Sequence, residues 1–245
     1  MDQGHITIAM TQNDMPPFYF RDASGDLNGI DVMLAKGIAE RLGVRAVFNR
    51  EATSFNGVVD LVVEGKADIA VSKLSRTLDR AKVIRYTDPY IVFRQGLLIN
   101  RLGLAKKTQR MSEYEFIRNF NGKLGVIRAS SYVGYARENF PAAQIVEYDT
   151  WNEVVDAVFT GEILAAYRDE MEIKKIVRGR KDALVRLKTV LITDQEDPIA
   201  VAVAADKTHL VAWLNIYLQS CRLKLTSEKL LDMYPEIFDE NGDAP

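Results

Sequence analysis

Cysteine and histidine are almost missing from this sequence, which has a single Cys and two His. One cysteine, Cys221, excludes an intrachain disulfide, and its apolar, helix-like surroundings predict a buried thiol. His5 opens a strand-like run and His209 starts an amphipathic helix. Neither has metal-ligand spacing, and no Ser-His-Asp arrangement can be assembled from them. No stretch reaches the roughly 18 consecutive apolar residues that a membrane-spanning helix requires. A glycine-rich phosphate loop of either standard form is also missing. Charge of one sign is lacking too: 32 basic against 34 acidic residues leave a net charge of −2. A nucleic-acid-binding surface ordinarily shows as a basic stripe or a high pI, so no nucleic-acid partner is expected. The acidic tail Asp239-Glu240-Asn241-Gly242-Asp243 does not fit calcium-loop spacing and reads as a solvated terminus. No metal or cofactor is expected.

The chain begins Met1-Asp2-Gln3-Gly4-His5 and enters a strand-like run at once, without the basic start and apolar core of a signal peptide. That fits either a cytoplasmic protein or an exported domain lacking its leader. With 245 residues, 47% hydrophobic and 27% charged, the composition is that of a globular protein with two modest domains or one large one.

Short strand patterns alternate with helical ones, and the order βαβαβ occurs twice. In the first copy His5–Met10 alternates as a strand and leads into a loop, residues 11–21, with Pro16-Pro17. Ile30, Leu34, Ile38 and Leu42 then repeat every four residues up to Gly43, as in an amphipathic helix with a glycine stop. Val44–Phe48 is the second strand. Ser54 caps a helix whose inward residues include Val58, Leu61 and Val62, and Ala67–Val71 is the third strand. The second copy has strands at Leu124–Ile127, Ile145–Tyr148 and Ile163–Tyr167. Its helices are one capped by Ser130 and one over Trp151–Thr160 that ends at Gly161. Strands and helices alternating in this way predict parallel sheets in two α/β lobes. The apolar run Leu187–Ile192, a strand over Ile199–Ala204 and helices over Leu210–Leu223 and Ser227–Met233 complete the chain.

Ligands of open parallel sheets gather beyond the carboxyl ends of the strands. After the third strand of the first copy the chain reads Ser72-Lys73-Leu74-Ser75-Arg76-Thr77-Leu78-Asp79-Arg80, rich in cations and hydroxyls. After the corresponding strand of the second copy it reads Arg168-Asp169-Glu170. Such a pair of sites suits a zwitterion, its carboxylate held by a guanidinium through parallel hydrogen bonds. Position alone also allows Arg80 and Asp169 to be solvated loop charges.

The segment from Ala67 to Lys82, followed by Tyr86-Thr87-Asp88-Pro89-Tyr90, closely resembles the signature of the periplasmic polar-amino-acid binding proteins. These are the family 3 solute-binding proteins of bacterial ABC transporters. Pro17-Phe18, Gly29-Ile30-Asp31, Gly65-Lys66-Ala67-Asp68, Gly122-Lys123-Leu124-Gly125-Val126 and residues 161–169 match as well, so the likeness spans nearly the whole chain. It implies two Rossmann-like α/β lobes joined by a two-strand hinge, the Venus-flytrap arrangement of periplasmic binding protein-like II. Residues 1–97 with 193–245 would form lobe 1, and 98–192 lobe 2.

The implied function is capture of a small amino acid in the cleft between the lobes, closure, and delivery to a membrane permease, without catalysis. The protein would be a monomer in the periplasm or another extracytoplasmic space. The same lobes also serve as ligand-sensing ectodomains of membrane receptors or kinases, and the fold has produced dehydratases. In the latter case Lys73, Asp169 and Glu170 would be the acid–base candidates.

Carried over residue by residue, Arg80 matches the carboxylate clamp and Ser75 its helper. Ser131, next to Ser130, matches a hydroxyl contact, Asp169 the ammonium ligand, and Phe55 an aromatic wall. Several positions depart from the pattern. Met15 stands where many members have a stacking aromatic, Lys73 where a small residue is usual, and Ala129 where glycine is common. Gln12 replaces the acid frequent in binders of cationic ligands, which argues against lysine or arginine. Lys73 and Arg128 would make the pocket more positive and favour an acidic or neutral polar ligand. For Lys73 a side chain turned to solvent is equally open.

Overall fold

In the computed structural model, residues 4–235 are described, so the acidic tail and Met1–Gln3 lie outside the described residues. The strands are β1 (His5–Thr11), β2 (Phe20–Arg21), β3 (Leu27–Asn28), β4 (Arg45–Ala52), β5 (Ile69–Ala70) and β6 (Ile84–Tyr86), followed by β7 (Ile91–Asn100), β8 (Lys123–Ile127), β9 (Gln144–Tyr148), β10 (Ala165–Asp169), β11 (Leu187–Ile199) and β12 (Ala202–Ala204). They form two five-stranded sheets, ordered β4-β1-β5-β12-β6 and β11-β7-β10-β8-β9, and a small ribbon of β2 with β3. The chain divides into two units, one running to Val92 and resuming at Asp197–Tyr234, the other Phe93–Glu196. It passes from one unit to the other inside β7 and again inside β11, which are neighbours in the second sheet. The boundaries expected at 97/98 and 192/193 fall within these same two strands.

The first unit has β1 at the centre of its parallel part. Thr7 aligns with Val47 of β4, and Ile8 aligns with Ile69 of β5. Ile6, Ile8 and Met10 are fully buried, as a strand covered on both faces requires. The helix Ile30–Arg41 turns Ile30, Leu34 and Ile38 inward, so the four-residue repeat is its packing face. Helix Phe55–Val63 starts where Ser54 accepts a hydrogen bond from the Gly57 amide at 3.1 Å. Its Val58, Leu61 and Val62 join the core with Ala9, Ala70 and Leu74. Ile199–Ala204 is not continuous: β11 ends at Ile199 and β12 begins at Ala202. Cys221 is only partly buried, which corrects the buried-thiol expectation. It is the last residue of a helix, Thr208–Cys221, that buries only Leu214 and Leu218.

The second unit repeats the pattern. β8 pairs in parallel with β9 and β10, while β7 runs antiparallel to β10. Helix Trp151–Thr160 has a capping box of Thr150 with Glu153 and ends at Gly161 in the left-handed conformation, φ 79°, the stop read in the sequence. Sequence periodicity missed the helices Arg101–Lys107, Glu113–Arg118, Glu170–Gly179 and Ala183–Arg186. Three of these have seven residues or fewer, too short for a repeating pattern to show.

Gly29 is fixed by the way the residue 11–21 loop meets the first helix. The amides of Ile30 and Asp31 donate to the carbonyls of Pro17 and Phe18 at 3.0 and 2.9 Å, which draws the loop against the helix start. Gly29 has φ 117°, and a Cβ there would run into the Phe18 carbonyl oxygen. Gly29→Ala should therefore destabilise the protein by at least about 2 kcal/mol, read as a lower urea midpoint at unchanged m-value. An unaltered midpoint would remove this constraint from the account.

Candidate functional site

In the first unit the segment after β5 carries the residues that sequence reading singled out. Arg80 sits on the short helix Leu78–Ala81, capped by Thr77, and is 7% exposed. Its Nε and Nη2 donate to Asn56 Oδ1 at 3.2 and 3.1 Å, and Nη1 donates to the Ser75 carbonyl at 3.2 Å. These bonds to neutral oxygens fix the plane of the guanidinium without neutralising its charge. Ser75 is buried, its carbonyl also accepts from Tyr86 Oη at 3.1 Å, and it bridges Ile199. Phe55 is buried at the start of its helix, and Met15 packs half-buried against the same core. Gln12 is exposed, and its carbonyl accepts from Arg50 Nη2 at 2.7 Å.

Lys73 follows in the left-handed region, φ 45°, and is 4% exposed. Its amide donates to Asp31 Oδ2 at 2.6 Å, and its Nζ lies 5.0 Å from the centre of the Phe18 ring. The solvent-facing alternative for Lys73 is thereby overturned. A left-handed backbone tied to a buried carboxylate points this side chain inward. Asp31 also accepts from Tyr90 Oη at 2.7 Å. Burial pushes the Asp31 carboxyl up to about 7, against the opposing hydrogen bonds from Tyr90 and the Lys73 amide and the charge of Lys73. Beside it, Tyr19, Thr11 and Ser72 form a closed hydroxyl network, with Tyr19 Oη 2.9 Å from Thr11 Oγ1 and 3.0 Å from Ser72 Oγ. Burial raises the Tyr19 phenol to about 12, so it stays a hydrogen-bonding hydroxyl.

In the second unit Asp169 ends β10 and is 1% exposed. Its Oδ1 caps helix Glu170–Gly179, accepting from the Glu172 amide at 3.2 Å, and its Oδ2 lies 3.7 Å from Arg168 Nε. Ser130 stands at the N-cap of helix Ser131–Asn139, but its hydroxyl donates back to the Ile127 carbonyl at 2.6 Å. Ser131, half-buried, is the first residue of that helix. Ala129 precedes them with φ 52°, which explains in steric terms why glycine suits this position. Arg128 is exposed and its guanidinium pairs with Asp149.

Sequence reading missed Asn56 and the Tyr19 network, and it quoted Asp31 and Tyr90 only within motifs, without a role. Arg168 was passed over beside Asp169. Among the described residues no cluster of His, Cys, Asp and Glu could hold a metal ion, and no helix is long and apolar enough to cross a membrane.

Two α/β units, each ordering a second, first and third parallel strand before an antiparallel one, define the chain as a member of the two-lobed binding-protein fold. Among solved structures it resembles a binding component of an ABC transporter from Wolinella succinogenes complexed with lysine. The TM-score is 0.76 at 22% identity, over 94% of this chain and 95% of that one. It likewise resembles the ancestral amino acid-binding protein AncCDT-1, a precursor of cyclohexadienyl dehydratase, with TM-score 0.74 at 24% identity over 95% and 96%. Among curated proteins, ABC transporter arginine-binding protein 1 of Escherichia coli is 22% identical, over 89% of this chain and 86% of its own length. The lysine/arginine/ornithine-binding periplasmic protein of the same organism is 24% identical over 94% and 86%. Residues 6–236 match the model of the bacterial extracellular solute-binding proteins, family 3, and the chain belongs to that family.

Two measurements follow from this geometry. A carboxyl raised by burial stabilises the fold fully below its unfolded pKa, and the stabilisation is lost as pH rises through the folded value. Asp31 should therefore make the protein less stable as pH goes from about 4 to about 7. Asp31→Asn should flatten that stretch of the curve, whatever its effect on absolute stability, when urea unfolding is compared at pH 5 and 8. Equal slopes in both proteins would refute it. Ala129→Gly relieves an L-residue held left-handed, so the melting temperature should rise by roughly 1–4 °C. A lower melting temperature by calorimetry would contradict that strain.

Proposed function

We propose that the protein captures a small amino acid as a zwitterion. Arg80 and Ser75 hold the α-carboxylate, and Asp169 with Ser131 holds the α-ammonium end. The observation that carries the reading is the pair of buried, opposite charges at corresponding places in two repeated units. Arg80 follows the third parallel strand of one unit, and Asp169 ends the third parallel strand of the other. Each is held in place by neighbours: Arg80 by Asn56 and the Ser75 carbonyl, Asp169 by the helix it caps.

In this reading Phe55 and Met15 form the apolar wall for the ligand side chain, with Lys73 and Gln12 adding polar character. The named relatives include binders of arginine and lysine. For this chain Gln12 in place of an acid, together with the buried Lys73, favours a side chain without positive charge. The family supports a role as the extracytoplasmic binding component of an ABC transporter, acting with a membrane permease and without catalysis.

A thermal-shift screen of the amino acids and small carboxylates identifies the ligand, because binding to the native state alone raises the melting temperature. By calorimetry with that ligand, Arg80→Ala should weaken affinity at least ~100-fold, since it strands a desolvated carboxylate. Asp169→Asn keeps a good helix cap, so it should retain stability while weakening affinity at least ~10-fold. Unchanged affinity in both variants would defeat this site.

A further inference from the structure

The second unit carries a surface that capture of an amino acid leaves unused. It is built from two stretches, residues 101–118 and 178–188. Together they hold ten Lys or Arg and three acids, Glu113, Glu115 and Asp182, in a chain whose net charge is −2. The formal charge of these 29 residues is +7, so the rest of the chain carries −9.

The two stretches are joined in the fold. Arg101 Nε donates to the carbonyls of Leu184 and Leu187 at 3.1 and 2.7 Å, and Lys188 pairs with Glu113. Helix Arg101–Lys107 packs against helix Ala183–Arg186. Each is short and buries one residue, Leu104 in the first and Ala183 in the second. Large apolar side chains are therefore left in solvent around this junction: Leu102 is 66% exposed, Leu184 65% and Val185 77%. Lys106 lies one turn beyond Leu102 on the same helix face, and Lys106, Lys107 and Lys181 are exposed. Single exposed aliphatics are ordinary on a protein surface, but a group of them among cations marks an interaction site.

The residue types on this face favour one kind of partner. Hot spots between proteins favour Trp, Tyr and Arg, with Leu and Val under-represented, and protein interfaces are poor in Lys. Here the outward residues are Leu, Val and Lys. Aliphatic side chains enter the boundary between lipid headgroups and acyl chains, while lysines keep their ammonium at the headgroups. Clustered Lys and Arg near an anionic bilayer add an attraction that fades within a Debye length.

We propose that the face formed by helices Arg101–Lys107 and Ala183–Arg186 docks on a membrane surface containing anionic lipid. Leu102, Leu184 and Val185 enter the interface, and Lys106, Lys107 and Lys181 lie over the headgroups. The contact is peripheral and reversible, and it weakens with salt.

Sedimentation of the full chain with vesicles tests this, comparing mixed phosphatidylglycerol and phosphatidylcholine with phosphatidylcholine alone. At low salt the anionic vesicles should bind at least ~10-fold more strongly, and the difference should shrink as salt is raised. Lys106→Gln, Lys107→Gln and Lys181→Gln combined should lower affinity for the anionic vesicles at least ~10-fold. Leu102→Ser with Leu184→Ser should lower it at least ~3-fold while leaving the salt dependence as it was. All five positions are exposed, so both variants should keep the melting temperature of the wild type. The control combines Lys36→Gln, Lys82→Gln and Lys224→Gln, exposed lysines of the first unit, and should bind as the wild type does. A control that loses as much as the first variant would show a general charge effect and overturn the proposal. Equal binding to both kinds of vesicle would overturn it as well. No vesicle binding, with salt-sensitive binding to polyglutamate instead, would make the face a site for an acidic protein and overturn the lipid assignment. Binding to neither would overturn it outright.

Discussion

Asp31 is a carboxylate without solvent exposure, reached from one side by the Lys73 amide and from the other by the Tyr90 hydroxyl. It therefore ties three segments of the first unit together: the first helix, the segment after β5, and the entry to β7. Desolvating a carboxyl is costly, and two short hydrogen bonds offset only part of that cost here, as its raised pKa shows. What the arrangement gains is position. Lys73 is held left-handed, and the chain then runs through Leu74 to Ser75, whose carbonyl orients Arg80. Removing this tie would loosen the backbone on which the guanidinium depends, although Asp31 and Arg80 share no direct bond among those described.

The same constraint explains which parts of the molecule were legible beforehand. The repeated βαβαβ order, the Ser54 cap and the Gly161 stop are local signals, and the structure has them where the sequence places them. Arg80 and Asp169 were singled out because fold logic directs attention to the residues that follow parallel strands. Asp31 was noticed only as part of a motif, since nothing local says that its carboxylate would meet residues 42 and 59 positions further along the chain. Arg128 and Arg168 show what such logic leaves open. Both are arginines near the ends of second-unit strands, and sequence alone cannot say which one has a surface aspartate within reach. The pairing of Arg128 with Asp149 and the burial of Arg168 under two rings distinguish them.

Left-handed residues other than glycine are scarce in this chain: among the described residues they are Lys73, Ala129 and Arg222. Arg222 ends a helix, a usual place for that conformation. The other two fall in the segments that carry the candidate site, one in each unit. Strain of this kind persists only where the surroundings over-determine it. At Lys73 the Asp31 bond supplies that determination. At Ala129 it comes from the turn that sends the Ser130 hydroxyl back to Ile127 as the helix begins. Two sequence departures from the family pattern thus share one physical character, since each places a side chain where small residues are usual.

Family membership and ligand choice rest on different kinds of residue. The fold is one shared with binders of several amino acids. Preference among ligands is a difference between affinities, so in the proposed site Arg80 and Asp169, which would meet groups common to every amino acid, contribute little to it. In the proposed site the positions able to separate one side chain from another are those that depart from the family resemblance: Gln12, Met15 and Lys73. One of these three, Lys73, is a buried cation. A positive ligand side chain brought near it would add repulsion in a setting poor in solvent. In the proposed site it is the residues that depart from the family resemblance, more than those that match it, that would disfavour a cationic ligand.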